Sequence, residues 1–278
     1  MEPFRVRLPD GVGNRPPRLL YDSPHSGRHY PEDFATKATG ADLRRGEDAY
    51  VDKLLHGASD SGACVLEAIY PRWYIDVNRE ETDIDASLLS EPWPGPLEPT
   101  DKSARGLGLI RRYVVPGVEV NSRLLSVNEV RDRIDRVYRP YHIALARLVS
   151  EVREAHGAVW HINWHSMKSI GNAMTPDGAV RRPDFIVSDL RGRSATPKLT
   201  EWIVAWLRNA GYSVAVNDPY QGGTILQRTG APDRGIHSVQ IEINRALYLD
   251  ELRVKKTEAF DELATTLQTF TRDLAEWA

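Results

Sequence analysis

The chain has 278 residues, and its 36 Lys and Arg residues against 39 Asp and Glu residues give a formal net charge of −3 at pH 7. This balance leaves no broad electropositive surface for nucleic acid or anionic lipid, so the expected partner is a small molecule. A single cysteine, Cys64, excludes an internal disulfide framework and a multi-cysteine metal site. With no leader pattern and no run of ~18 apolar residues, we expect a cytoplasmic protein that does not span a membrane.

Strand-like and helix-like patterns alternate along the chain. This alternation predicts an α/β fold with a central, mostly parallel or mixed sheet and helices on both faces. The predicted strands cover residues 18–22, 64–69, 74–77, 158–163, 184–188, 213–216 and 239–244. The predicted helices begin near Glu47, run from Ser126 to Gly157 and from Thr196 to Asn209, and fill the C-terminal segment around residues 260–274. The length is compatible with one domain over residues 1–278.

Residues 80–125 interrupt this alternation. The segment from Glu91 to Pro99 contains four prolines, which is too many for a regular helix or strand. Loops longer than ~15 residues in compact domains are commonly functional. We therefore expect 80–125 to be a long loop excursion that borders the functional site.

Four reactive side chains lie at or near the predicted strand ends. His25 follows the first strand, Arg79 and His165 follow the third and fourth, and Glu242 lies in the last. Ligands of open α/β sheets gather at the carboxyl ends of the strands. The sequence therefore predicts that these four side chains share one edge of the sheet.

Two of these residues, His25 and His165, indicate a metal site. Imidazole is a common ligand of zinc, and a catalytic zinc has three protein ligands and one open position. An acidic ligand would come from Glu47 or Asp48, although both acids also fit a simple role at the start of a helix, where they complement its dipole. No short HExxH motif links the ligands, so packing roles for the histidines remain open at this point.

A serine nucleophile is a further alternative, since Ser26 and Ser166 adjoin the two histidines. Neither serine lies in a Gly-x-Ser-x-Gly elbow, which argues against this chemistry.

Six motifs, in order, resemble the N-formylglutamate amidohydrolase family over about residues 18–255. They are Ser23-Pro-His-Ser-Gly-Arg-x-Tyr-Pro31, Glu47-Asp-x-Tyr-Val-Asp52, Arg72-x-Tyr-Ile-Asp-Val-Asn-Arg79, His165-Ser-Met167, Asn217-x-Pro-Tyr-x-Gly-Gly223 and Gln240-Ile-Glu-Ile-Asn-Arg-x-Leu-Tyr-Leu-Asp-Glu251. The resemblance implies a fold similar to that of zinc carboxypeptidases and aspartoacylases. It also implies one Zn²⁺ per chain, with other divalent metals as alternatives.

The resemblance implies roles for individual residues. His25, His165 and Asp48 would be the metal ligands, with Glu47 as the alternative to Asp48, and Glu242 would be the general base. Substrate-binding roles are implied for Asn78 and Arg79, which would hold a carboxylate, for Gly222 and Gly223, which would form a pocket wall, and for Arg245, a possible second clamp. One departure is Asn163, where an Asp often precedes the histidine by two residues, so a possible anion behind His165 is missing.

The function implied by this resemblance is hydrolysis of the formyl, or another small acyl, amide of an N-acyl amino acid such as N-formyl-L-glutamate. Alternatives are a carboxypeptidase-like enzyme or N-acyl-amino-acid deacylase with a different substrate, or a non-catalytic carboxylate-binding relative. The presence of Glu242 beside the implied ligands argues against the last alternative, because a binding protein needs no base next to a metal.

Overall fold

The computed structural model describes residues 1–11 and 16–278 and is built around one seven-stranded mixed sheet. The strands are β1 Phe4–Arg7, β2 Leu19–Ser23, β3 Ala63–Ala68, β4 Tyr113–Val115, β5 Val118–Glu119, β6 Val159–Met167, β7 Phe185–Ser188, β8 Val214–Val216, β9 Ile236–Asn244, β10 Leu249–Asp250 and β11 Lys255–Lys256. The sheet order is β1-β3-β2-β6-β9-β7-β8, while β4–β5 and β10–β11 form two small hairpins.

The centre of the sheet is parallel and its margins are mixed. β2 runs parallel to β3 and β6, and β6 runs parallel to β9. β1 is antiparallel to β3, and β7 is antiparallel to β9. Every residue of β2, β3 and β9 is buried, as expected for strands that are covered on both faces. The carboxyl ends of β2, β6 and β9 therefore meet at one edge.

Helices cover both faces of this sheet. They are α1 Gly40–Gly46, α2 Val51–Leu54, α3 Asp101–Ala104, α4 Val127–Arg133, α5 Arg139–His156, α6 Pro197–Asn209, α7 Thr224–Thr229 and α8 Ala259–Trp277. The chain between α4 and α5 continues as a π-helical turn, Ile134–Tyr138. Ser126 and Glu129 form the expected capping box, and Gly157 ends α5 in a left-handed conformation.

The alternation of side chains along the strands produces two hydrophobic cores. Leu20 and Cys64 point to the face covered by Tyr141 and Leu145 of α5. Their neighbours Leu19, Tyr21 and Val65 point to the opposite face, against Leu267 and Phe270 of α8. The fold class expected from the sequence is confirmed, and none of the helices in the described ranges has the length and apolar character needed to cross a membrane.

Two expected elements are wrong in detail. Residues 74–77 form turns and irregular chain rather than a strand, because this segment packs under the 80–125 excursion and pairs with no strand in the part of the chain that the structure describes. No helix begins at Glu47: Glu47 caps the end of α1, and α2 begins only at Val51. Asp48 therefore lies in the connection between two short helices, so the direction of its side chain is not set by a helix.

The 80–125 excursion is mostly irregular, with α3 and the β4–β5 hairpin as its regular elements beyond a short 3₁₀ turn, Ala86–Leu88. Two backbone hydrogen bonds hold Leu109 of this excursion in place: Asp76 N donates to Leu109 O at 2.9 Å, and Leu109 N donates to Asp83 O at 2.8 Å. The first of these bonds holds the excursion next to the edge where the strand ends meet.

Candidate metal centre

Three side chains converge at the carboxyl edge of the central strands. Nδ1 of His25 lies 3.1 Å from Nδ1 of His165, and Oδ2 of Asp48 lies 2.9 Å from the second and 3.5 Å from the first of these nitrogens. All three residues are almost fully buried. Nitrogen and oxygen ligands of a tetrahedral zinc, at ~2.0–2.2 Å from the metal, are about 3.3 Å apart. The observed spacing fits such a set, and the three residues form a candidate metal cluster.

The opposite ring nitrogens determine which atoms face the centre of this cluster. Nε2 of His25 lies 2.7 Å from Oδ1 of Asp76, and Nε2 of His165 lies 2.8 Å from Oδ1 of Asn163. Both partners are acceptors and favour a proton on each Nε2. The two Nδ1 lone pairs then face each other and a carboxylate oxygen, an arrangement that a cation stabilises.

The Asp48 carboxyl is held in its ionised form. Burial alone would raise its pKa, but the adjoining rings of His165 and His25 and the charge of Arg72 outweigh burial and hold the pKa well below its usual range. Arg245 Nη2 also donates to Asp48 Oδ1, at 3.2 Å. An ionised carboxylate is the form that binds a divalent metal.

Glu47, the alternative acidic residue, points elsewhere. Its two carboxylate oxygens accept hydrogen bonds from Tyr30 and Arg44. Because the backbone at Glu47 is extended, its side chain and that of Asp48 leave the chain on opposite sides. Only Asp48 reaches the two histidines.

Glu242 lies beside this cluster. It is paired with His165 in the parallel register of β6 and β9, so both side chains leave the same face of the sheet. Gln240 Nε2 donates to Glu242 Oε1 at 3.0 Å. Burial raises the pKa of the Glu242 carboxyl; the charge of Asp48 adds to this rise and His165 opposes it.

Asn78 and Arg79 are adjacent to the cluster, in the turn segment rather than at the end of a strand. Asn78 Oδ1 accepts a hydrogen bond from Ile225 N at 2.9 Å, which turns its Nδ2 towards Nε2 of His165, 3.2 Å away. Arg79 Nε donates to Leu107 O at 2.6 Å and Nη1 donates to Asn78 O at 2.7 Å. No described residue bonds Nη2 of Arg79, so this end of the buried guanidinium is available to another anion.

The Gly222-Gly223 turn packs directly on Asn78. A Cβ atom at Gly223 would lie 2.4 Å from Asn78 Oδ1, and Gly222 has a φ of +117°, a conformation that side chains disfavour. The guanidinium of Arg245 is held by several protein groups: besides Asp48, it donates to Ser166 Oγ at 3.0 Å and to Arg45 O at 2.6 Å. A direct substrate role for Arg245 therefore stays a prediction, whereas its support of Asp48 is observed.

Sequence reasoning missed the group around Asp76. Arg111 Nε and Arg72 Nη2 donate to Asp76 Oδ2, at 2.8 and 3.3 Å. Burial, together with the charges of Arg72 and Arg79, lowers the pKa of Arg111 to about 9. The charge of Arg79 is the main cause that lowers the pKa of Lys102 to about 8. Asp76 lies in the third motif and could have been identified there. No local pattern marks Arg111 or Lys102, which belong to the 80–125 excursion and approach Asp76 only in the folded chain.

Comparison with known proteins places these observations in a family context. A family model described as N-formylglutamate amidohydrolase matches residues 18–249. The N-formylglutamate deformylase of Pseudomonas putida is 29% identical over 93% of this chain and 91% of its own length. That of Pseudomonas aeruginosa PAO1 is 30% identical, with the same coverage.

Solved structures show the same relationship. The crystal structure of N-formylglutamate amidohydrolase from Ralstonia eutropha JMP134 superposes with a TM-score of 0.91 at 39% identity, covering 100% of this chain and 98% of that one. A gene product of Agrobacterium tumefaciens shares the fold, with a TM-score of 0.71 at 18% identity and coverage of 99% and 95%.

Proposed function

The chain belongs to the N-formylglutamate amidohydrolase family and is a hydrolase, and we propose that it uses a divalent metal, most simply zinc, to cleave the formyl amide of N-formyl-L-glutamate. The products would be formate and L-glutamate. The observation that carries this proposal is the convergence of His25 Nδ1, His165 Nδ1 and Asp48 Oδ2 within 3.5 Å of one another, with Glu242 paired to His165 on the next strand.

His25, Asp48 and His165 would hold the metal, because two imidazoles and one carboxylate are a typical donor set of catalytic zinc. The ion would act as a Lewis acid on the formyl carbonyl and lower the pKa of a water molecule. Asp76 and Asn163 would keep the protons of the two histidines on Nε2, and Arg72 and Arg245 would hold Asp48.

Glu242 would be the general base. It would take a proton from the attacking water and pass it to the amide nitrogen as the C–N bond breaks, so that the amine leaves neutral. The raised pKa of this carboxyl supports such a role, because a base with a pKa closer to neutrality can also return the proton.

The cations near Asp76 support a substrate with two carboxylates. Arg72, Arg79 and Arg111 lie around Asp76; Arg72 also pairs with Asp48, and the charge of Asp83 acts on Arg79 and Lys102. The ammonium group of Lys102 has no bonded partner among the described residues. Arg79, with its free Nη2, would bind one carboxylate and place the formyl carbon at the cluster, while Lys102 would attract the second charge.

The direct test is formate release from N-formyl-L-glutamate by the metal-loaded protein. The panel should include N-formyl-L-glutamine, which lacks the second charge at nearly the same size, and N-acetyl-L-glutamate, which changes only the acyl group. We expect the highest kcat/KM for N-formyl-L-glutamate. Absence of formate release from every N-formyl amino acid would contradict the proposal, and a preference for N-acetyl-L-glutamate would instead indicate a deacylase.

A further inference from the structure

A fully buried polar network lies behind His165. His161, Asn163 and His165 follow one another on the same face of β6, and Asp22 of β2 is paired with Asn163 in the parallel register. Asp22, His161 and Asn163 have no exposed surface. Since buried polar groups are costly unless every one is hydrogen-bonded, the pattern of bonds in this network is closely determined.

The Asp22 carboxylate is the centre of this network. It accepts hydrogen bonds from Asn163 Nδ2 at 2.8 Å, from His161 Nε2 at 2.9 Å and from the Tyr141 hydroxyl at 2.8 Å. Burial would raise the pKa of Asp22, but the hydrogen bonds from His161, Asn163 and Tyr141 outweigh burial and lower the pKa. The carboxyl group is therefore ionised, and an ionised carboxylate can only accept.

This anion fixes the orientation of the Asn163 amide. With Nδ2 donating to Asp22, the amide oxygen must face Nε2 of His165, at 2.8 Å. An amide oxygen accepts, so it selects the His165 tautomer that carries its proton on Nε2 and has a free lone pair on Nδ1.

The selection is not trivial, because other neighbours favour the opposite tautomer. Asp48 Oδ2, 2.9 Å from Nδ1 of His165, would accept a proton there. Asn78 Nδ2, 3.2 Å from Nε2, would donate to an unprotonated nitrogen. Among the contacts that the described residues make with His165, only that of Asn163 opposes both, and the orientation of Asn163 depends on Asp22.

We propose that Asp22 is a positioning residue that acts through Asn163 to hold His165 in its metal-binding tautomer. Asp76 favours a proton on Nε2 of His25 by direct contact, and Asp22 favours a proton on Nε2 of His165 through the Asn163 amide. An Asp at position 163 would place an anion in direct contact with His165. With Asn163 in this position, the anion is Asp22, which contacts His165 through the Asn163 amide. This inference rests on the proposed role of His165 as a metal ligand.

The test measures zinc affinity, by competition with a chromophoric chelator, for the parent chain and for matched variants. Asp22→Asn loses the negative charge, and its amide can present either oxygen or nitrogen to Asn163, so it no longer fixes the orientation of Asn163. It should lower the affinity about 10- to 100-fold, the range typical of partners that orient metal ligands. Tyr141→Phe is the control, because it removes one bond to the same carboxylate but leaves the Asn163 contact. It should lower the melting temperature and leave the affinity within about threefold of the parent.

We call the action of Asp22 on His165 through Asn163 the relay. A double variant that exchanges the two side chains distinguishes the relay from a role of Asp22 in the stability of the fold. The double variant Asp22→Asn/Asn163→Asp returns one negative charge to the network, now in direct contact with His165, and should recover most of the lost affinity. Asn163→Ala, which leaves Asp22 with its other two donors, should lose affinity as Asp22→Asn does. If Asp22→Asn does not fold, Asn163→Ala still tests the proposal.

A second readout is independent of metal. In the metal-free protein, ¹⁵N NMR of the His165 ring should show the proton on Nε2 in the parent and in Tyr141→Phe, and a mixture of tautomers in Asn163→Ala. Equal zinc affinities for the parent, Asp22→Asn and Asn163→Ala would overturn the relay while leaving the metal site intact. No zinc binding by the parent would overturn the proposed function and the relay with it.

Discussion

His165 and Glu242 face each other across the two central parallel strands, β6 and β9, and leave the same face of the sheet. The first residue belongs to the candidate metal cluster, and the second is buried beside it with a raised pKa. One candidate ligand and a potential base are thus held by the two central strands, while His25 and Asp48 reach the cluster from the connections that follow β2 and α1. This relationship makes separate predictions for metal binding and for turnover possible.

The first prediction concerns the metal ligands. We expect about one divalent metal per chain in the purified protein, and loss of this metal in the His25→Ala/His165→Ala double variant. Asp48→Ala should lose affinity far more than Glu47→Ala, because only Asp48 Oδ2 reaches the histidines. Elemental analysis and zinc titration measure both effects. Full occupancy in the double variant would show that the metal binds elsewhere.

The second prediction separates the base from the metal. Glu242→Gln keeps the size of the side chain and its contact with Gln240 but removes the base, so kcat should fall by at least ~10²–10⁴-fold. The zinc content and the melting temperature should stay close to those of the parent. Formate release near the parent rate from N-formyl-L-glutamate would rule out Glu242 as the general base.

The third prediction concerns Arg79. Replacing it by Ala removes the free Nη2 that would bind a substrate carboxylate, so KM should rise roughly 10- to 100-fold, as expected for a lost charged hydrogen bond. Arg139→Ala is the control, since Arg139 is an exposed arginine that pairs with Glu81. Steady-state kinetics with both variants provide the comparison. An unchanged KM for Arg79→Ala would exclude this residue as a carboxylate clamp.

The fourth prediction is a pH dependence of substrate binding that depends on Lys102. Its pKa is lowered to about 8, mainly by the charge of Arg79, so the ammonium group is present below pH 8 and is lost as the pH rises through this value. KM should then increase about two- to fivefold, the effect of one exposed charge. The rise should be absent in Lys102→Gln, which has a high KM throughout, and in Lys102→Arg, which keeps its charge. A rise of equal size in all three proteins would point to another group.

The fifth prediction tests the packing of the Gly222-Gly223 turn. The φ of Gly223 is −117°, so Ala is compatible with the backbone, but its Cβ would lie 2.4 Å from Asn78 Oδ1. Gly223→Ala should therefore displace Asn78 and lower the free energy of unfolding by ~1–3 kcal/mol. Gly40→Ala, where a Cβ meets nothing within 4 Å, is the matched control for thermal unfolding. Equal melting temperatures for the two variants would argue against this close contact.

The sequence by itself predicts the elements whose signals are local. The capping residues Ser126 and Glu129 and the terminal Gly157 bound the long helical region correctly, because they satisfy backbone groups within one turn. The family was also evident from the sequence, since its motifs are short and ordered. The strand expected at 74–77 was wrong, because a local apolar pattern cannot show whether a partner strand is present.

Only the tertiary structure decided how the side chains of the site are connected. Glu47 and Asp48 are equivalent in sequence, and the choice between them depends on which side of an extended connection faces β6. Likewise, the sequence shows an uncharged Asn163 where an Asp is expected. Only the pairing of β6 with β2 shows that the Asp22 carboxylate lies next to the Asn163 amide. Hydrogen bonds and charges act over a few ångströms in space. The contacts that determine protonation at this site join residues 22, 25, 48, 76, 163 and 165, which lie in segments far apart in the sequence, and no local pattern links these segments.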